Sequence, residues 1–583
     1  MTTKKILALV LSLAMVLVCL PGAAVFAAEE ERTIGSGGLV LDTDPTGGYE
    51  GDYVVIYNPA TSSSTSYSTG TMTGLIETEV SANVLPARAA NDPGLTVIDV
   101  DGEIALRERE ELGAAYGKID EAGGVRASYS VGSTKSFTIS NYNPGSGTSL
   151  TFKVLAVGQH CYIWTPSQNV TNYYTLDSIN ADYAQQAADE FDRMYDLMNS
   201  SFGNHSNGSN GDGKVSLLFY NIDDGYDPAT SGGYVAGYFS SAGYLYDGMP
   251  IINIDTYPGI YFVSSSGTDY TTLDRAFGTA CHEYQHCINY SNTSSMSTWL
   301  NECFSAAAEE ICYPGSSIVG RIQSWESYYY SSNNDWLNPP EEFDYNADLT
   351  LLNGYSMYTW SNSLEMYDTL ALYSQVSFFA QYLFTQFGNG IYKQISNNFS
   401  SSEVTAITNA TGMSCSELVK NFRIAIYAND HDAYNGQYGF MPQADYDPAN
   451  YYNVDNPYNL LGPVVFTGTS CSIKGGGAIC VKPVNGVYNP PSGASSSLVY
   501  IGITRNLVTY NVDAVSNNTA YGTVSVNGTK ITCTPAEGYY VESCDVISGT
   551  ATTVINGNII TVTPTSDCTV RVNFAPKPSY TIN

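Results

Sequence analysis

The feature that most narrows what this chain can fold into is a pentapeptide, His282-Glu283-Tyr284-Gln285-His286. Two histidines four residues apart stand about 40° apart around a helix axis, one turn above the other, so both rings reach one point only if the segment is helical. The flanking residues supply that helix: Leu273, Phe277, Ala280, Tyr284 and Ile288 recur at helical spacing and give a core face over about 272–290. Asp274 falls in the first turn, where a carboxylate suits the helix N-terminus. His282, Glu283 and His286 lie off that stripe. In an H-E-x-x-H pattern two imidazoles bind zinc and the glutamate takes a proton from an attacking water; without a metal the same residues would be a surface helix with two incidental histidines.

A second helix is predicted over about 297–313, with Leu300, Phe304, Ala307 and Ile311 as its core face. Glu302 lies on another side. A hydrolytic zinc takes three protein ligands and keeps one position open, so Glu302 completes a set with His282 and His286; otherwise it is a solvated carboxylate at a helix start. Asn301 is placed to hold an imidazole N–H, and Glu309, two turns beyond Glu302, is a further candidate for that support.

The motif followed by Trp299-Leu300-Asn301-Glu302 resembles the gluzincin metallopeptidases, the clan of thermolysin and the zinc aminopeptidases. Thr279-Ala280-Cys281, Thr298, Asp189 to Asp192 and Gly233 to Phe239 make the chain most similar to the hyicolysin-type peptidases, over about 165–504. The resemblance implies a thermolysin-like domain and hydrolysis of protein or peptide substrates by attack of water on the peptide carbonyl, with Glu283 as general base. It also implies an oxyanion-stabilising Tyr or His on a later helix, for which Tyr373 is the nominee and His431 the alternative. Some positions depart from the pattern. His286 and Glu302 are separated by fifteen residues rather than about eighteen or nineteen, Cys303 follows the ligand, and Ala306 stands where thermolysin has a supporting Asp. The Gly-x-Met-Glu-Asn that anchors a substrate amine in the aminopeptidases is absent, which favours an endopeptidase.

The chain reads as multidomain α+β, a metallopeptidase domain with flanking β domains. Residues 1–27 have the basic start, apolar run and small-residue pattern of an export signal, with cleavage expected near Ala27. Residues 28–165 are β-rich and a candidate pro-segment, and 166–445 carry the chemistry. In that part a helix begins near Asp177, Val215 to Tyr220 is a buried strand, and helix covers about 370–387 and 390–428. Residues 446–504 return to strand patterns. Residues 505–576 resemble bacterial surface-repeat domains, with surface contacts as their candidate role, and 577–583 resemble the start of a further repeat.

The net charge of −33 argues against nucleic acid and anionic membranes, which need basic patches. With 14% charged and 43% hydrophobic residues, the chain suits a folded, secreted extracellular protein without a membrane anchor. Eleven cysteines follow the signal, and Cys471 and Cys480 bracket a short turn and are candidates to staple it. Asn210 to Lys214 reads as a tight turn, while Asp223, Asp224 and Asp227 form a candidate calcium set. Two other functions are compatible with the sequence: a non-catalytic adhesion protein retaining a zinc-binding fold, and an aminopeptidase.

Overall fold

A computed structural model describes residues 39–577 with interruptions. Outside the description lie 1–38, 77–95, 98–100, 114–115, 120–125, 140–147, 169–175, 223, 227–232, 264–268, 314–353, 361–365, 401, 429, 431–432, 441–465, 467, 506–509, 528–529, 565 and 578–583. His431, Asp223 and Asp227 are therefore outside it. The chain divides into two compact units, which meet in sequence at Arg505 and Asn506.

The principal strands of the first unit are β1 (Leu39–Asp42), β2 (Tyr53–Tyr57), β3 (Thr134–Ile139), β4 (Thr148–Val157), β5 (Cys161–Pro166), β6 (Val215–Tyr220), β7 (Gly237–Phe239), β8 (Ile251–Asp255), β9 (Ala478–Val481) and β10 (Val499–Arg505). Its helices are α1 (Asp101–Leu112), α2 (Ala181–Phe202), α3 (Asp274–Thr293), α4 (Thr298–Cys312), α5 (Met366–Phe387), α6 (Ile391–Asn397), α7 (Glu403–Thr411) and α8 (Cys415–Ala428).

Six strands form the sheet that positions the chemistry, in the order β7-β8-β6-β5-β4-β3. Strands β8, β6 and β5 run parallel and the flanking pairs antiparallel. Both faces are covered. Ile163, Leu217, Phe219, Ile252 and Ile254 face a core shared with the helices, whereas Tyr162, Trp164, Leu218, Tyr220 and Ile251 face a second core. Burial on both sides is why Val215 to Tyr220 reads as an unbroken apolar run rather than an alternating one.

Helix α2 starts where Asn180 accepts the Tyr183 N–H, three residues after the predicted start at Asp177. Its Ala184, Ala187, Phe191, Met194 and Met198 are buried against the sheet and α3. Tyr284 of α3 meets Phe191 edge-on, with ring centroids 5.1 Å apart. The predicted helix over 390–428 is three helices. Asn398 caps α6, and Gly412 ends α7 with φ 71°, a left-handed turn that glycine adopts without strain. Helix α1 falls within the region read as β-rich; its sequence offers no apolar stripe to announce it.

A four-stranded antiparallel sheet, β1-β10-β2-β9, joins the two ends of this unit. The segments read as separate N-terminal and post-catalytic β regions thus pair with each other, and β3 to β5 belong to the same sheet as β6. Cys471 packs in the core beside Ile473 and Tyr488, whereas Cys480 points into the helical core, so these two cysteines do not staple a hairpin. The buried Arg423 of α8 donates to Gln375 Oε1 of α5 at 2.7 Å and to the Gly476 carbonyl at 3.1 Å, fastening this sheet's turn to the helices.

The second unit is a small sandwich. Strands Val512–Ser516, Cys568–Pro576 and Tyr539–Ser548 form one sheet, and Gly522–Asn527, Lys530–Pro535, Ile559–Pro564 and Ala551–Asn556 the other. They enclose Ile531, Ile560, Val562, Val570, Val572 and Phe574. Among the described residues no helix is long and apolar enough to cross a membrane.

Phe191 has 1% of its surface exposed and supports the motif helix from below. Phe191→Ala is expected to cost about 3–5 kcal/mol of unfolding free energy, measured by denaturant titration. A loss below about 1 kcal/mol would show that α2 does not brace α3 in this way.

Candidate metal centre

Helix α3 is buried all round from Ala280 to Tyr290, because α2 and the sheet cover one side and α4 the other. His282, Glu283 and His286 therefore lie off the predicted stripe and are nonetheless buried. Glu302 is completely buried in the first turns of α4, not solvated. Leu300, Phe304 and Ala307 form the α4 core face as predicted, while Ile311 is only partly buried.

Between the two helices the donor atoms converge. His282 Nε2 lies 3.2 Å from one Glu302 oxygen, and His286 Nε2 lies 3.6 Å from the other. The imidazole rings are 4.8 Å apart and nearly perpendicular. One ligand atom from each of His282, His286 and Glu302 falls within 4.8 Å of the others, and among the described residues this is the group so arranged. Two nitrogens and a carboxylate oxygen suit a borderline divalent ion such as zinc, which in hydrolases takes three protein ligands. The residues fit the ion that the motif implies.

Supporting contacts fix the rings. His282 Nδ1 is 2.7 Å from Glu309 Oε1, so Glu309 is the carboxylate behind the first histidine. Seven residues separate Glu302 from Glu309, two helical turns, which brings both to one face of α4. The function that Ala306 cannot supply is thus taken one turn later. Asn301 hydrogen-bonds His286 and accepts from the Asn289 side chain. The sequence reading did not single out Ser305, whose Oγ donates to Gln285 Oε1 at 2.6 Å and lies 3.2 Å from His286 Nδ1. Its position three residues beyond Glu302, on the same helix face, was the available signal.

The pKa values of the two histidines are displaced in opposite directions. Burial favours neutral His282, but its hydrogen bonds to Glu302 and Glu309 outweigh burial and raise its pKa well above the ordinary value. Burial and the neighbouring His282 push His286 well below it. Tyr373 of α5 is buried, its ring 6.3 Å from that of His282 and held edge-on by Trp360 at 5.0 Å. Asp224 accepts the backbone N–H groups of Tyr226 and Val235, at 2.8 and 2.7 Å; nothing in the described residues supports calcium.

The chain is 28% identical over 360 residues to the neutral metalloprotease ShpI of Staphylococcus hyicus, a span of 58% of this chain and 72% of that protein. That likeness supports a metallopeptidase family. No family model matches the chain. The likeness and the His-His-Glu group agree on a metal-dependent protease, and the mixed α+β architecture is compatible with one.

Two outcomes follow from the geometry. Glu309→Ala is expected to weaken zinc affinity by about 10- to 100-fold, read by competition with a chromophoric chelator, because His282 loses the acceptor that orients it. An unchanged affinity would mean that the 2.7 Å contact does not hold the ring. Metal binding must also displace the proton held on His282. Affinity is therefore expected to keep rising with pH past the ordinary imidazole value of about 6.5; a curve already level there would contradict the raised pKa.

Proposed function

We propose that the protein is a secreted zinc endopeptidase, with His282, His286 and Glu302 as metal ligands and Glu283 as general base. The observation that carries this reading is the meeting of three buried donor atoms within 4.8 Å, beside a glutamate on the same turn of helix. When bound there, zinc supplies Lewis-acid polarisation of the scissile carbonyl and of the attacking water.

The protein's own groups do the rest. Glu283 lies between the two histidines in sequence, on the helix that also faces strand β7: a Cβ on Gly237 would stand 3.5 Å from Glu283 Cγ. From there its carboxylate takes the proton of the attacking water and passes it to the leaving amine. Tyr373 donates its hydroxyl to the developing oxyanion. Glu309 and Asn301 hold the imidazoles, so little rearrangement is needed as charge develops. Burial of the site keeps competing water away and strengthens each of these interactions.

Hydrolysis of protein or peptide substrates outside the cell follows from the export-signal pattern and from the activity named for the staphylococcal relative. We assign residues 505–576 a spacer or adhesive role. The missing amine-anchoring motif favours internal cleavage over removal of single N-terminal residues.

The test is Glu283→Gln, which removes the base and leaves the ligands. The variant is expected to keep about one zinc per chain and to lose cleavage of denatured casein by at least about 100-fold, while the parent is inhibited by a chelator. Proteolysis retained in the variant would refute the assignment. Zinc bound by a parent that cleaves nothing would favour the non-catalytic adhesion reading.

A further inference from the structure

We propose that helix α1, with residues 116–119, is an autoinhibitory strap that closes the groove beside the metal site and must swing away before a polypeptide can enter. The proposal rests on the peptidase reading and concerns how that same site is regulated.

Strand β7 is the edge of the six-stranded sheet, and it runs beside Glu283. An extended peptide laid along such an edge gains main-chain hydrogen bonds and alternate side-chain contacts. The chain's own N-terminal part pairs with the segment just upstream of this edge, in a separate two-stranded sheet. Thr96–Val97 pair in parallel with Gly233–Tyr234, just before β7. Immediately after β7, Glu108 of α1 inserts a carboxylate that is only 6% exposed. It accepts the Ser241 N–H at 3.0 Å and the hydroxyls of Ser240 and Ser241.

Further anchors cross to the metal-bearing helices. Arg109 Nη2 donates to the carbonyls of Met296 at 3.0 Å and Ser294 at 3.4 Å, on the loop joining α3 to α4. The Gly117 N–H donates to the Tyr290 hydroxyl of α3 at 2.9 Å. Ala105, Glu108, Arg109 and Tyr116 thereby wall a cleft whose floor includes His286 and Glu302. About 40 Å³ of water-accessible space remains in it, enough for a few waters.

The strap is rooted less deeply than the strands on either side of it. Seven of the twelve residues of α1 are charged, in a chain where 14% are. Of its described side chains only Glu108 and Ile104 are buried, Ile104 being its one anchor in the second core. It adds no strand to the two large sheets, whereas β1 and β2 before it and β3 to β5 after it are woven into them. Strap release therefore unpairs none of those strands. Removal of everything up to residue 130, by contrast, would extract β2 from between β10 and β9. On this proposal the first unit keeps its N-terminal strands, and α1 is the part that moves.

In the full-length protein, Glu108→Ala is expected to raise the rate of casein cleavage about tenfold at unchanged zinc content, because the three hydrogen bonds made by its carboxyl group are lost. Arg109→Ala cuts a separate anchor and is expected to act in the same direction, so the outcome does not hang on the folding of one variant. A binding arm does not depend on turnover: in the Glu283→Gln background, either substitution is expected to tighten binding of a fluorescently labelled, unstructured casein peptide by a similar factor. Unchanged or lower rates and affinities, with melting temperature and zinc content retained, would overturn the strap, as would failure of every form to bind the peptide. Cleavage that survives Glu283→Gln would instead remove the catalytic assignment, leaving the binding arm to decide on the strap.

Discussion

A fully buried carboxylate facing two buried imidazoles is the constraint around which the first unit is arranged. A charge removed from water costs several kcal/mol unless neighbouring groups compensate. Glu302 meets His282 and His286 at 3.2 and 3.6 Å. A divalent ion among these three groups compensates the carboxylate more fully than a shared proton, and uses both imidazoles at once. The packing follows from this requirement. Helix α3 must be enclosed by α2, the sheet and α4 to keep the donors dry, and α4 must approach closely enough for Glu302 and Glu309 to reach the same histidine. Cys303 and Phe304, both buried, lie on the side of α4 turned to the core.

The same arrangement explains why the site tolerates an unusual spacing. The shorter link between His286 and Glu302 and the alanine at position 306 look damaging when only the sequence pattern is considered. In three dimensions, Glu309 supplies the missing support from one turn further along, and Ser305 ties Gln285 to the neighbourhood of His286. What matters is which face of a helix a carboxylate occupies, and residues at i+3, i+4 and i+7 share that face.

Legibility in the sequence tracked the range of the interactions. The motif helix and its partner could be read from periodicity and spacing, because each is decided within about one or two helical turns, and Glu302 followed from the need of a hydrolytic zinc for a third ligand. The fully buried strand β6 was readable from its unbroken apolar run. Helix α1 was hidden because charge, not an apolar stripe, dominates it, and its key residue Glu108 acquires meaning only beside Ser240 and Ser241, more than a hundred residues away. The pairing of β2 with β9 and β10 joins segments over four hundred residues apart; no local pattern records such a partnership. Cys471 and Cys480 looked like a pair for the opposite reason: they are near in sequence, but they point into different cores.

The most direct test of the central claim is X-ray absorption at the zinc edge of the purified full-length protein. The account predicts about one zinc per chain, with a first shell of nitrogen and oxygen at about 2.0–2.1 Å, a scattering signature of two imidazoles and no sulfur. That signature should be lost in His286→Ala. A shell with sulfur at about 2.3 Å, or a protein that binds no zinc, would contradict it.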